Sequence, residues 1–237
     1  MRFAVILFIS VILTSCGIKY HDSISGNGKV IETTISSDTI RRIKVSDKLD
    51  VTLIPSDTNR VILKADENLH DIIKISIERG VMRISVEKYI RVARSKEILV
   101  YGRNICEVDA SAKSTVISQD TLCCNELTLV ATSGSDIRIA GHFNSLIVNC
   151  SSGSNIFLEG KTDYLNINAN SAADIYGYDF SANNSDILAT SASDVRVTIK
   201  DEAHFNVSSA ADIIYKGNPA IIDSKTSSLG EVRRARF

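Results

Sequence analysis

Between Cys106 and Ala220 the chain repeats itself, and this limits its folding more than any other feature. Five segments match: TSGSDIRI from Thr132, SSGSNIFL from Ser151, NSAADIYG from Asn170, TSASDVRV from Thr190 and SSAADIIY from Ser208. A degenerate sixth copy is SAKSTVIS from Ser111. With Ala112, Ser133, Ser152, Ser171, Ser191 and Ser209 taken as equivalent, the steps are 21, 19, 19, 20 and 18 residues. A fixed short period implies stacked structural units, each too small to bury its apolar face alone.

The step size identifies the unit. Two or three short strands at ~3.3 Å per residue plus corners use up about 19 residues, which is one coil of a β-helix. The sequence therefore predicts an all-β parallel β-solenoid with coils of about 19 residues. A strand precedes each motif, and alternate residues (Leu127, Leu129, Ala131; Leu146, Val148, Cys150; Leu165, Ile167, Ala169) point inward. The small pair after each motif serine (GlySer, GlySer, AlaAla, AlaSer, AlaAla) suits a tight corner, so a bulky residue at Ala172 or Ala192 is expected to overpack it. Asp136, Asn155, Asp174, Asp194 and Asp212 then form a ladder. Two readings stand: each side chain caps backbone N–H groups at its turn, or the stacked carboxylates hold a cation such as Ca²⁺. The asparagine within the ladder and the lack of a glycine-rich calcium nonapeptide favour capping, so no metal or other cofactor is expected.

The first sixteen residues read as an address. Arg2 supplies a positive charge, and Phe3 to Leu13 is an apolar run too short to span a bilayer, which needs ~20 residues. LTSC, ending at Cys16, resembles the bacterial lipobox. That resemblance implies cleavage before Cys16, whose thiol takes a diacylglycerol and anchors the chain to a membrane. Residues 1–15 are then a signal peptide and 16–27 a tether. The tether has no acidic run of the surface-export type, which favours the periplasmic face of the outer membrane, with the cell surface as the alternative.

Residues 28–104 alternate apolar and polar positions in short runs (VIETTI, IRRIKV, LDVTLI, RVILK, IIKISI, VMRISV, EILVY) without a clean repeat. One helical turn is expected at Asp66 to His70. The motifs GNGKV at Gly26, IKVSDKLDVTLIPSD at Ile43, LKADENL at Leu63, GVMRISV at Gly80 and KGNP at Lys216, in this order, resemble the DUF2807 family, the adhesin head GIN domain of Bacteroidota lipoproteins. The resemblance spans roughly residues 26 to 230. It implies a right-handed solenoid, an envelope location and no established catalytic residues. The domain is drawn as 28–230, with regular coils over 105–220 and a solvated basic tail over 231–237, including Arg233 to Arg236.

The remaining chemistry is sparse. A net charge of −1 gives no basic domain for nucleic acid. Trp is absent and Tyr and Phe total 14, which weighs against a sugar groove. Cys106, Cys123, Cys124 and Cys150 form no CxxC pair, so zinc is not expected. Disulfides are open to them in an oxidising compartment, with buried thiols the default. The four histidines share no repeat phase. No serine lies in a GxSxG elbow and no HExxH or phosphate loop occurs. Serines that recur in every coil read as corners. The expectation is a non-enzymatic envelope lipoprotein that presents a flat, Ser/Asp/Asn-rich surface to a protein or glycan. The alternatives are a polysaccharide-processing β-helix enzyme, which a concave groove with two acids would favour, and a homo-oligomeric structural component.

Overall fold

The computed structural model describes residues 22–36 and 39–235. The signal peptide, Cys16 and Arg236 lie outside them. The chain forms an all-β solenoid of about 7 turns. Parallel strands stack in register, so that Asp136, Asn155, Asp174, Asp194, Asp212 and Glu231 follow one another on successive rungs.

The corners explain the repeat. Each contains two successive residues at positive φ: Ser133–Gly134, Ser152–Gly153, Ser171–Ala172, Ser191–Ala192 and Ser209–Ala210. The amide of the second residue donates to the carbonyl of the first residue on the next rung, at 3.0–3.1 Å, from Lys48 through Lys113, Gly134, Gly153, Ala172 and Ala192 to Ala210. The motif is thus a bend whose polar backbone is satisfied by its copies.

The same ladder corrects the inward face. Ala172 and Ala192 are exposed, whereas the next residue of each corner is buried: Ser135, Ser154, Ala173, Ser193 and Ala211. Where this residue is serine, its hydroxyl works for the corner. Ser135 and Ser193 donate to Ala110 and Ala169 carbonyls at 2.8 and 3.1 Å, and Ser154 Oγ accepts from the Gly134 and Ser135 amides. The predicted inner columns, including Cys150, are buried in one continuous core.

Two further corners fall outside the sequence repeat because their small residues are replaced. Asp47–Lys48 and Ser228–Leu229 have the same paired positive φ. Parallel stacking therefore begins before residue 105, with Arg42–Val45 and Asp50–Ile54 already forming a rung. It also continues past residue 230. Glu231–Arg234 pairs with the strand Asp212–Gly217, so this stretch belongs to the last coil and is not a free tail.

The stacking order does not follow the chain. Val81–Val86 and Lys96–Tyr101 pack on one side of the Arg42–Ile54 rung, while Glu107–Ala110 and Thr115–Ser118 pack on the other. Antiparallel strands Val30–Ser36, Arg60–Asp66 and Ile73–Glu78 then close that end of the core. This covers edges that would otherwise be left unpaired. Two motifs of the sequence meet in this cap. Asp66 is buried and accepts from the Gly28 amide at 2.8 Å, Arg94 at 3.1 Å and Ser95 at 2.9 Å. Burial opposes its charge, but these three amides outweigh it and hold the carboxyl below its ordinary range. Gly26 passes so close that a Cβ there would lie 2.0 Å from Asp66 Oδ2. Asp66 thereby fastens the incoming segment to the solenoid. The expected helical turn is a single 3-10 turn at Glu67–Leu69.

Candidate functional site

Asp136, Asn155, Asp174, Asp194 and Asp212 line up as the register requires, half-buried on the outer face. They do not cap turn amides, because the corner backbone already bonds to the neighbouring rungs. Their side chains bond along the outer surface instead. Asp136 accepts from Asn155 Nδ2 at 2.8 Å, Asp174 from the Tyr176 hydroxyl at 3.3 Å and Asp194 from Arg196 Nη2 at 3.0 Å. Among the described residues, no group of three or more His, Cys, Asp or Glu side chains is placed to hold a metal ion.

Two residues beyond the ladder, on the same face, lies a column that the repeat motif does not announce. Arg138, Phe157, Tyr176 and Arg196 occupy successive rungs. The Arg138 guanidinium lies 3.6 Å from the Phe157 ring centroid. The Phe157 and Tyr176 rings are stacked, 4.7 Å apart and 9° from parallel. Arg196 lies 5.2 Å from the Tyr176 centroid and closes the far end. Contacts of this kind are worth about 0.5–2 kcal/mol each. Arg196 is tied to Asp194, and its Nη1 is buried without an acceptor.

A bulge turns this column into a groove. Against the preceding rung one extra residue enters between Tyr176 and Asp179, and against the following rung Tyr178, Asp179 and Phe180 have no partner, since Gly177 pairs with Val197 and Ser181 with Thr198. Phe180 turns into the core against Phe143, with centroids 6.3 Å apart, while Tyr178 and Asp179 form a wall outside. Lys216 lies 4.5 Å from the Tyr178 centroid. The groove has a volume of about 440 Å³, with Glu159 and Asp179 side by side on paired strands. Apart from Arg138 on the Phe157 ring, the side chains of Arg138, Glu159 and Asp179 make no hydrogen bond or ion pair among the described residues. Three of the chain's 14 Tyr and Phe residues, Phe157, Tyr176 and Tyr178, line this groove. Arg138 and Arg196 stand two residues after Asp136 and Asp194 of the ladder. The signal was present in the sequence: position three of the strand reads Arg, Phe, Tyr, Arg in the first four motifs, and Ile214 ends the run in the fifth. Its alignment across coils was needed to see it.

The cysteines stay apart from this groove. Cys150 is buried, and its thiol is pushed up to about 12 by burial, with Asp174 and Asp136 adding to it. Cys124 is half-buried and pushed up to about 11, again by burial first. Cys123 is exposed, and Cys106, though it follows the Leu127 column, is only half-buried. All four are free thiols. His204 faces Glu202 at 2.8 Å and Asp223 at 3.8 Å, and the Glu202 hydrogen bond raises its pKa.

Known proteins share this architecture. A family model described as "Putative auto-transporter adhesin, head GIN domain" matches residues 40–219. Three solved structures have the same fold. A "putative adhesin" from Parabacteroides merdae is 21% identical with a TM-score of 0.73, covering 91% of this chain and 100% of its own. One from Bacteroides fragilis is 15% identical with a TM-score of 0.77, covering 90% and 100%. A "putative lipid binding protein" from Parabacteroides distasonis is 17% identical with a TM-score of 0.75, covering 91% and 100%. No curated protein matches.

Proposed function

The chain belongs to the DUF2807 family of adhesin-head domains, and from that premise we propose that it is a lipid-anchored, adhesin-like envelope module that binds its ligand in the Arg138–Arg196 groove. The family and its structural neighbours support an adhesin-like role without catalysis and a place in the cell envelope. The groove is the single observation that carries the binding reading. It is favoured over the flat Ser/Asp/Asn surface as the contact because it gathers charged and aromatic side chains in one recess. A glycan or an extended protein segment is the occupant.

Anchoring rests on Cys16 and the apolar run before it. Among the described residues no helix is long and apolar enough to cross a membrane. The anchored module sits on the outer membrane, facing the periplasm. Metabolic labelling with an alkyne fatty acid tests this: the native chain takes label and sediments with membranes, and Cys16→Ser does neither. A labelled Cys16→Ser chain would refute the anchor. For the groove, the test is solid-phase binding to a panel of envelope and matrix glycans and proteins. Tyr178→Ala and Glu159→Gln lower binding without lowering the melting temperature. Undiminished binding by both variants would refute the groove.

A second reading is favoured by one observation, the pairing of Glu159 with Asp179 on adjacent strands of a concave groove. Two carboxylates across a glycosidic bond are the equipment of a glycoside hydrolase. Release of shorter products from any glycan of the panel, lost in Glu159→Gln, would establish it; intact glycans after prolonged incubation would exclude it.

A further inference from the structure

The groove that the proposed function uses for binding also constrains the chemistry of its ligand. Resting on that binding role, we infer that the groove takes a glycan bearing carboxylates, with a sugar carboxylate on Arg138 and sugar hydroxyls donating to Glu159 and Asp179.

The stack decides against a neutral sugar. Sugar rings are usually gripped on open aromatic faces, but here the faces are taken. Phe157 lies between Arg138 and Tyr176, and Tyr176 between Phe157 and Arg196. What the stack offers is the rim of a guanidinium. The Arg138 guanidinium carbon lies 3.6 Å over the Phe157 centroid and Arg138 lines the groove, and a guanidinium stacked on a ring by its face keeps its N–H groups for partners at its rim. Phe157 is itself held by Tyr176, so the fork sits on a fixed platform. No acceptor among the described residues meets it. A fork of this kind matches a carboxylate with two parallel hydrogen bonds.

The opposite wall asks for donors. Glu159 and Asp179 accept hydrogen bonds only, and neither has a partner among the described residues. A polyphosphate would supply no donors to these carboxylates. A uronic-acid chain supplies an anion and several hydroxyls on each unit. Successive rungs lie about 4.8 Å apart, so the Arg138–Arg196 column runs over three such steps, long enough for more than one sugar.

Calorimetric titration of the full-length chain in detergent micelles tests the inference. The probes are oligogalacturonate, oligomannuronate and hyaluronan oligosaccharides, each with its methyl ester, which keeps the shape and removes the charge. At least one acid binds; its ester binds at least tenfold more weakly. Arg138→Gln reproduces that loss for the acid and leaves the ester unchanged, while Arg138→Lys is intermediate because it keeps the charge and loses the fork. Failure of all three acids to bind overturns the inference, as does an ester that binds as tightly as its acid. In that last case Glu159→Gln with Asp179→Asn separates the two readings. A weakened ester would retain the groove and discard the acid; unchanged binding would discard both. The comparison of acid with ester on the native chain holds even if Arg138→Gln folds poorly.

Discussion

Replacing Ala173 by leucine probes the corner directly. Ala173 is fully buried and sits in the corner column between Ser154 and Ser193, both also fully buried. Leucine adds three carbons where the rungs above and below leave no space. Overpacking of this kind costs about 1–3 kcal/mol, and three added carbons at zero exposure call for the upper end. For a domain of this size, about 3 kcal/mol lowers the melting temperature by roughly 6–12 °C. Ala172→Leu is the control. Ala172 is exposed at φ 59°, and the equivalent position of the last corner already holds Leu229, 90% exposed at φ 65°. The left-handed backbone disfavours alanine and leucine alike, so this change costs less than about 0.5 kcal/mol. Circular dichroism melts and urea unfolding of the two variants provide the comparison. Equal losses, or an unchanged Ala173→Leu melt, would show that the inward position has been misassigned.

Gly160→Ala is expected to be more severe, because at φ +117° the new Cβ would lie 2.1 Å from the Gly141 carbonyl oxygen; poor soluble yield or a melt lowered by more than that of Ala173→Leu is the outcome to measure. Asp66→Asn leaves at least one buried amide facing a donor, costing about 1–3 kcal/mol, read by urea unfolding. The Asp66 carboxyl is depressed in the fold, so its contribution is present above the unfolded value near pH 4 and is lost as pH falls below it; acid unfolding of the native chain, but not of Asp66→Asn, carries that component. His204 is raised, so its contribution is full below about pH 6.5 and fades as pH rises through its folded value; an NMR titration finds its midpoint above 6.5, and Glu202→Gln lowers it. In the native chain iodoacetamide labels exposed Cys123 at pH 8, whereas Cys150 stays unmodified until the chain unfolds.

The order of residues alone dictates the repeat unit, and with it the solenoid. A period near 19 residues with alternating apolar positions leaves few other ways to bury Leu127, Leu146 and Leu165 together. Small residues recur at Ser135, Ser154, Ala173, Ser193 and Ala211 because this column is buried between the rungs above and below. Three features arise only from packing between coils. The rung at Arg42–Ile54 is sandwiched between segments that come after it in the chain, since parallel stacking satisfies strand edges without regard to chain order. The corners at Asp47–Lys48 and Ser228–Leu229 carry larger residues because, on the exposed side of the bend, backbone hydrogen bonds and not side-chain size hold the turn. The groove exists because stacking places residues some 19 apart within ring contact, while a bulge of three residues, Tyr178 to Phe180, against the following rung sets Tyr178 and Asp179 outside the core. A side chain on the outer face acquires its neighbours from other coils, and no local stretch of sequence contains them.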